Sequence, residues 1–588
     1  STITTIVVFL PIVYLHGASG EMFKDQAWTV AFALLSSLMV AMLVIPMMVS
    51  TLFPDSRKKK LKETPLQFTW YEGTLGKILD HRKIVILVSV LLLGASALLI
   101  PYIGSEFMPR SQSPEFTVEL KLPEGTGLMT TGKITSGVER TIRDILGERV
   151  RMIYCQAGNV SNSAGDPEAV SEGENTATLR VIMNKDYSFQ TEQAISTIGD
   201  YLKSIPDIEA SFKREETTLQ STLGTSGAPF SLEISGKDYN ELERILKESR
   251  TILSQDPDLY NITASMDEGT PEVEVAVDRF KASYYNASVQ SIISQVKNYL
   301  EGSTAGSFEK DGEMKDVTIK LGDISLSQLN DLMITAGTVK VPLSELALIK
   351  KVISPREITR RNQSRTCYVY AGITPGKAFD KVIRNAESSL KAVALPVDYR
   401  MQFTGEELKR RESMSNLSFA LILSLVLVFM VLAAQFESII QPFVIMLTIP
   451  LAAVGTILTF FLLGKNLNMM AYIGIIMLGG IAVNNAILLI DRINQLRENG
   501  TPKKEAIMIA GRQRIRPILM TSLTTILALL PLTIGLGESA SLRAPMALAV
   551  IGGMVSSTLL TLVVIPCVYW VFDSFSAWIT GSGRKAGA

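Results

Sequence analysis

The sequence predicts an α-helical polytopic membrane domain of eight spans, half of a two-repeat assembly, joined to a large exported α+β region. Three observations predict it. Residues 1–46 recur without a gap 520 positions later, with 14 identical pairs that include Thr4/Thr524, Pro11/Pro531, Gly17/Gly537 and Pro46/Pro566. Charge is absent from some stretches and dense in others, although the whole chain balances 57 basic against 57 acidic residues and is 47% hydrophobic. The polar stretches pass repeatedly from strand-like alternation to helical periodicity, as α/β units do.

Both copies of the repeat are apolar helix pairs around a short turn, so a duplicated membrane unit is expected. Residues 84–520 precede the second copy and nothing precedes the first, which makes the chain read as the C-terminal half of a protein built from two parallel repeats. Crossing about 30 Å of hydrocarbon takes roughly 20 apolar residues. Spans are expected near 1–16, 27–53, 83–103, 416–436, 442–463, 469–490, 517–537 and 544–572. The first is short, as for a chain that opens inside a helix, and it lacks the basic segment of a secretory signal.

The resulting order begins with a helix pair at 1–53, its first helix truncated. A basic loop follows at 54–82, with an amphipathic helix or plain connector over 63–80, and then a span at 83–103. The polar region has a first subdomain at 104–215 and a second in two parts, 216–270 and 351–415, around an inserted module at 271–350. Five spans fill 416–573 and a tail closes 574–588. Basic residues set the orientation. Arg57, Lys58, Lys59, Lys60, Lys62, Lys77 and Arg82 fill one loop; Arg492, Arg497, Lys503, Lys504, Arg512, Arg514 and Arg516 fill another. With these loops and the tail cytoplasmic, residues 104–415 and the turns near Gly17, Lys465 and Gly537 lie on the far side.

Within 104–215 the pattern reads strand 115–122, helix 128–146, strands 149–155 and 176–183, helix 189–204 and strand 207–213. That order, βαββαβ, is the ferredoxin-like split motif. A Gly/Ser/Thr-rich link at 221–229, with Gly224 and Gly227 as either a hinge or a passive tether, leads to a second unit. Its pieces are FSLEIS, a helix over 238–255, a strand near 260–266, then TCYVYAGI (366–373), a helix over 376–392 and YRMQFTG (399–405). In the inserted module the regular parts are a strand at 271–278, a helix at 288–301 and a strand at 314–322.

Composition also excludes classes. Balanced charge argues against a nucleic-acid partner, and no P-loop, Ser/His/Asp arrangement or HExxH is present, so neither an enzyme nor a cofactor is expected. Cys155, Cys367 and Cys567 lack metal-ligand spacing; Cys155 and Cys367 would pair only if the fold brought them close.

Several segments resemble the resistance-nodulation-division (RND) transporters, most closely their hydrophobe/amphiphile efflux branch. They are GSEFMPRSQSPEF (104–116), PEVEVAVDRFKA (271–282), GGIAVNNAILLIDRINQLRENG (479–500) and RIRPILMTSLTTILALLPL (514–532). The resemblance implies that residue 1 falls in the fifth of twelve membrane helices, that 104–415 is a porter region with a docking module, and that the working unit is a homotrimer. It also implies proton-driven export of amphiphilic or hydrophobic compounds across the inner membrane. The implied partners are the N-terminal half of the same transporter, a periplasmic adaptor (membrane fusion) protein and, where the host has an outer membrane, an outer-membrane channel. In the family, aromatic residues of a loop in the first porter unit line the drug cleft; the corresponding loop, 156–175, has none.

A proton relay needs a titratable group inside the bilayer. The eight spans contain no Asp, Glu, Lys or Arg between their ends, and His16 and His81 sit at span edges. The resemblance places the missing acids in an Asp pair upstream of residue 1. It assigns to this chain the other wall of the relay, with Asn484, Asn485 and Thr521 in the membrane and Arg514 at its cytoplasmic entrance. Many relatives carry Lys where Asn484 stands, and losing that cation raises the proton affinity of the acids. The competing readings are interhelical packing glue for the amides and threonine, and positive-inside placement for Arg514. Two alternative functions stay open. One is a heavy-metal exporter using thioethers among Met108, Met129, Met152, Met183, Met266 and Met333; the other is a non-transporting scaffold or truncated subunit.

Overall fold

The computed structural model describes residues 2–579 except 16, 53–68, 109–113, 124–125, 159–172, 185–186, 188–190, 204, 207, 215–227, 267–269, 311, 321–325, 338, 355–357, 375 and 535–539. His16, the basic run at 57–62, Gly224 and Gly227, most of the loop 156–175, the turn at Gly537 and the tail beyond 579 lie outside the described residues. The chain forms two compact units, one from residues 1–265 and 367–588 and one from 266–366.

The first unit opens with α1 (Thr2–Val13) and α2 (Gly17–Met39), which runs through a π-helical turn into α3 (Ile45–Leu52). After α4 (Thr69–Asp80) comes α5 (Arg82–Leu99). The polar region then gives β1 (Glu115–Lys121), α6 (Leu128–Leu146), β2 (Val150–Ala157), β3 (Thr176–Met183), α7 (Thr191–Lys203) and β4 (Glu209–Arg214). Its antiparallel sheet has the order β2-β3-β1-β4. Alternating apolar residues of β1 and β3 pack on α6 and α7 through Phe116, Val118, Leu179, Val181, Val138, Ile142 and Ile198, all buried. A second sheet begins with β5 (Phe230–Gly236), α8 (Tyr239–Leu253) and β6 (Leu259–Ala264).

The other compact unit contains β7 (Thr270–Val277), α9 (Val289–Glu301), the hairpin β8 (Ser303–Lys310) and β9 (Glu313–Ile319), the short hairpin β10 (Met333–Ala336) and β11 (Val339–Pro342), and β12 (Ala347–Ser354). β12 pairs with β7 from Ala347↔Val277 to Ser354↔Thr270, so a strand closes this unit beyond residue 350. Its core is Ile292, Ile334, Leu343 and Leu346.

The second sheet resumes with β13 (Ser364–Ile373), α10 (Phe379–Leu390) and β14 (Arg400–Phe403), in the order β13-β5-β14 with β6 on β13. Five helical segments end the chain: α11 (Glu406–Phe436), the pair α12 (Ile440–Met446) and α13 (Thr448–Leu463), α14 (Met469–Glu498), α15 (Lys503–Thr533) and α16 (Ala540–Ile579).

Among the described residues, seven helical stretches are long and apolar enough to cross a membrane: Phe23–Leu52, Arg82–Tyr102, Glu406–Phe436, Ile440–Leu463, Met469–Glu498, Lys503–Thr533 and Leu542–Ser574. The eighth expected span, 1–16, forms only the twelve-residue α1. α14 is buried along most of its length, and α13, α15 and α16 pack around it. Close approach of α13 to α16 depends on Gly455 and Gly552. A Cβ on Gly455 would lie 2.2 Å from the Gly552 carbonyl oxygen. By contrast, Met39, Met42 and Leu43 are about two-thirds exposed, as lipid-facing side chains are. The expected helix within 63–80 is α4; it docks through buried Leu75 and Leu79 and a Tyr71 hydroxyl that donates to the Leu562 carbonyl at 2.8 Å.

Candidate functional site

Three helices bring polar side chains together in the otherwise apolar bundle. Asn485, on α14 and 2% exposed, donates through Nδ2 to Ser522 Oγ on α15 at 3.4 Å. The Ser522 and Thr558 hydroxyls are 2.7 Å apart, and Thr558 on α16 also reaches the Met554 carbonyl at 2.7 Å. Thr558 Oγ1 is the donor to Ser522 Oγ, so the serine oxygen accepts from both the Asn485 amide and the Thr558 hydroxyl and ties α14, α15 and α16 together. Gly480, one turn earlier on α14, faces α1: a Cβ there would lie 3.2 Å from Val8 Cγ2. α1 is fixed in turn by Ser424 Oγ, which donates to the Val8 carbonyl at 3.0 Å.

The four residues expected at the relay do not share one fate. Asn485 is bonded to Ser522, which also accepts from Thr558. Asn484 is half-buried, and its buried Oδ1 has no hydrogen-bond partner among the described residues. Thr521 is exposed and its hydroxyl turns back onto its own helix, 3.2 Å from the Pro517 carbonyl and 3.0 Å from that of Ile518. The position that meets Asn485 is its neighbour Ser522. Arg514 is half-buried, with a buried and unbonded Nε. The Thr4, Ser557 and Thr561 hydroxyls are likewise buried and unbonded among the described residues. Ser522 escaped the sequence reading, although it continues the buried stripe Ile515–Ile518 of α15 at helical spacing. Each unmet buried polar atom costs about 1–3 kcal/mol, so each of these positions favours an added water or polar partner.

Metal and thiol chemistry has little geometry here. Among the described residues no group of three or more His, Cys, Asp or Glu is placed to hold a metal ion. Met183 and Met108 are buried, whereas Met129 on α6 and Met152 on β2 are exposed. An open groove of about 530 Å³ along α6 includes Met129, but Lys133 and Arg140 also line it and oppose a cation there. The cysteines are all free; Cys155 lies on β2 and Cys367 on β13, in different sheets.

A family model described as "AcrB/AcrD/AcrF family" matches residues 1–573. The chain belongs to the AcrB/AcrD/AcrF family of RND permeases. This permease chain is 28% identical over 592 residues to the swarming motility protein SwrC of Bacillus subtilis (strain 168), covering 98% of the chain and 54% of that protein. It is 27% identical over 585 residues to the cobalt-zinc-cadmium resistance protein CzcA of Cupriavidus metallidurans, and 27% identical over 581 residues to the cation efflux system protein CzcA of Alcaligenes sp. (strain CT14). Both alignments cover 96% of the chain and 54% of the relative. The chain thus spans about half the length of the curated relatives it matches. Two crystal forms of a heavy metal efflux pump share its fold, with TM-scores of 0.83 and 0.82 at 22% identity, covering 97% of this chain and 58% of the pump.

Proposed function

We propose that this chain is the part of an RND export permease running from the fifth membrane helix onward, and that the complete transporter drives export with protons. The single observation that carries the reading is the buried, unbonded Asn484 Oδ1 beside the Asn485–Ser522–Thr558 chain. An amide oxygen accepts a hydrogen bond and donates none. A carboxylic acid satisfies it only while protonated, and ionisation withdraws the donor. A helical repeat bearing such acids would therefore favour one packing of α14 when protonated and another when ionised, which is how proton flow becomes a conformational preference. Asn485 and Ser522 hold α14 against α15 in this scheme, Arg514 guards the cytoplasmic entrance, and Thr521 serves only if its hydroxyl leaves its own helix.

Cations are the cargo class we favour. The support is the naming of two of the three relatives for cation efflux or cobalt-zinc-cadmium resistance, and of the structural relatives as a heavy metal efflux pump. The second reading is export of amphiphiles, favoured by the motif resemblance at 104–116 and 479–500 and by the cationic lining of the α6 groove. Under either reading the transporter sits in the inner membrane as a homotrimer, with residues 104–415 outside. There the two sheets serve as ferredoxin-like porter units, 271–350 docks neighbouring subunits, and an adaptor protein and, where present, an outer-membrane channel complete the path.

The test uses the complete transporter in liposomes with an imposed proton gradient, with Zn²⁺ and ethidium as separate probes. Zn²⁺ movement is expected in the wild type, and Asn484→Ala should lower it to background while membrane insertion is unchanged. Near-normal movement by Asn484→Ala would remove the relay role. Ethidium movement without Zn²⁺ movement would select the amphiphile reading, and movement of neither would leave a scaffold.

A further inference from the structure

Where the bundle meets the β-rich region, residues 104–107 leave α5 in extended form and lie between two layers. On one side they zip to the turn that starts α14: Leu467 N–H donates to the Gly104 carbonyl at 2.8 Å, Glu106 N–H to the Leu467 carbonyl at 3.0 Å and Met469 N–H to the Phe107 carbonyl at 3.2 Å. The adjoining Asn468 caps α14, its Oδ1 accepting from Ala471 N–H at 3.0 Å, and Asn466 Nδ2 reaches Glu106 Oε2 at 3.2 Å.

On the other side the same segment grips α10 and α11. Ser105 N–H donates to Asp380 Oδ1 at 2.8 Å, and Asp380 N–H returns to the Ser105 carbonyl at 3.3 Å. The Ser105 hydroxyl accepts from Arg410 Nη1 at 2.9 Å. Arg410 is bidentate to Glu407, at 2.7 and 2.9 Å, and Glu407, only 1% exposed, also pairs with Arg411. Arg384 holds the second Asp380 oxygen at 2.6 Å. Glu407 is the buried centre of this network, with Arg384 and Arg411 reaching it from the surface; Ser105 gives its N–H, carbonyl and hydroxyl to Asp380 and Arg410, while the backbones of its neighbours Gly104, Glu106 and Phe107 bond the start of α14.

We propose that Ser105, with Asp380 and Arg410, is the joint that carries movement of α14 into α10 and α11, so that these are positioning residues for cargo movement. The inference rests on the transport reading above, since α14 carries the Asn484–Asn485 pair. The joint is also sterically closed. A Cβ on Gly104 would lie 2.3 Å from Ala378 Cβ and 2.6 Å from Asn466 Oδ1, so any side chain there wedges α10 away from the α14 turn without removing a charge. Coupling between sites requires a shared element that both ends bias, and this four-residue strip is bonded to both.

The test measures Zn²⁺ moved per proton by the complete transporter in liposomes, with an internal pH dye, alongside the melting temperature. Ser105→Ala should lower the ratio about fivefold or more, within the usual range of coupling between sites, while proton entry and melting temperature hold, and Gly104→Ala should lower the ratio while proton entry holds, with some loss of melting temperature from the overpacking. Ser105→Thr keeps the hydroxyl and should recover the ratio. An unchanged ratio in Ser105→Ala and Gly104→Ala would overturn the joint. So would a parallel loss of Zn²⁺ and proton movement with a lowered melting temperature, which marks a merely structural role. If the wild type moves ethidium but no Zn²⁺, the cation reading fails by itself and the joint is judged on the ethidium-to-proton ratio by the same criteria. A wild type that moves neither overturns the transport reading and the joint with it.

Discussion

Burial pushes the Cys367 thiol up to about 12, and burial together with the neighbouring Glu139 carboxylate pushes the Cys155 thiol up to about 11. Both groups hold their protons more tightly in the fold than in an unfolded chain, where a thiol titrates near 8.5. Their contribution to stability is therefore complete below about pH 8.5 and fades as pH rises through that value toward 11 and 12. Thiolate is the reactive form, so iodoacetamide at pH 8 should label neither cysteine appreciably in the folded protein, while on raising the pH to 10 Cys155 labels and Cys367 does not. Rapid labelling of Cys367 at pH 8 would contradict the buried register of β13. The relay positions show how far such detail was legible beforehand. An Asn pair in an apolar helix announces itself, and Asn485 does meet a hydroxyl across the helix interface. Which hydroxyl is a matter of rotation about α15: the 100° between Thr521 and Ser522 sends one outward and one inward, and motif resemblance does not carry that angle.

At the scale of the element, α11 ends on a strained residue. Glu437, exposed at its C-terminal cap, has φ of 47° and ψ of 32°, the left-handed conformation that costs a side-chain-bearing residue about 1–2 kcal/mol and glycine almost nothing. Glu437→Gly should raise stability by about 1 kcal/mol, read as a higher melting temperature in detergent; a lowered one would mean that the glutamate makes a contact outweighing the strain. The neighbouring α13 already uses Gly464, at φ of 60°, for the same turn. Elements with a single strong period were legible: β1, α6, β3 and α8 lie within two residues of expectation because alternation or amphipathic spacing is set by one buried face. β12 was missed for the complementary reason. Its ALIKKVIS pattern does not alternate cleanly, and its identity comes from pairing with β7, some 75 residues away in sequence. α11 was legible only from 416, since its charged first turns, Glu406 to Glu412, look like a loop until Glu407 is seen to pair with both Arg410 and Arg411.

For the whole molecule, the two ends of α14 face different chemistries. Its thirty residues span about 45 Å, more than the hydrocarbon core of a bilayer. The start is bonded to the β-rich region through residues 104–107. The other end lies in a basic belt: Arg497 and Lys503 both hold Asp573, at 2.5 and 2.7 Å, and the Lys503 and Arg82 cations sit 4.9 and 5.3 Å from the Trp570 ring. A tryptophan flanked by cations is the composition of a membrane interface, and a surplus of Lys and Arg on that side is what the proposed cytoplasmic placement of this end requires. In a cysteine-free background a membrane-impermeant maleimide added outside intact cells should label Val397→Cys, on a fully exposed loop before β14, and should leave Asn499→Cys, just past α14, unlabelled until the cells are opened. Labelling of position 499 from outside would invert the orientation, and with it the assignment of the β-rich region to the far side. Equal labelling of both from outside would instead mean that one of the three stretches between them, Glu406–Phe436, Ile440–Leu463 or Met469–Glu498, does not cross.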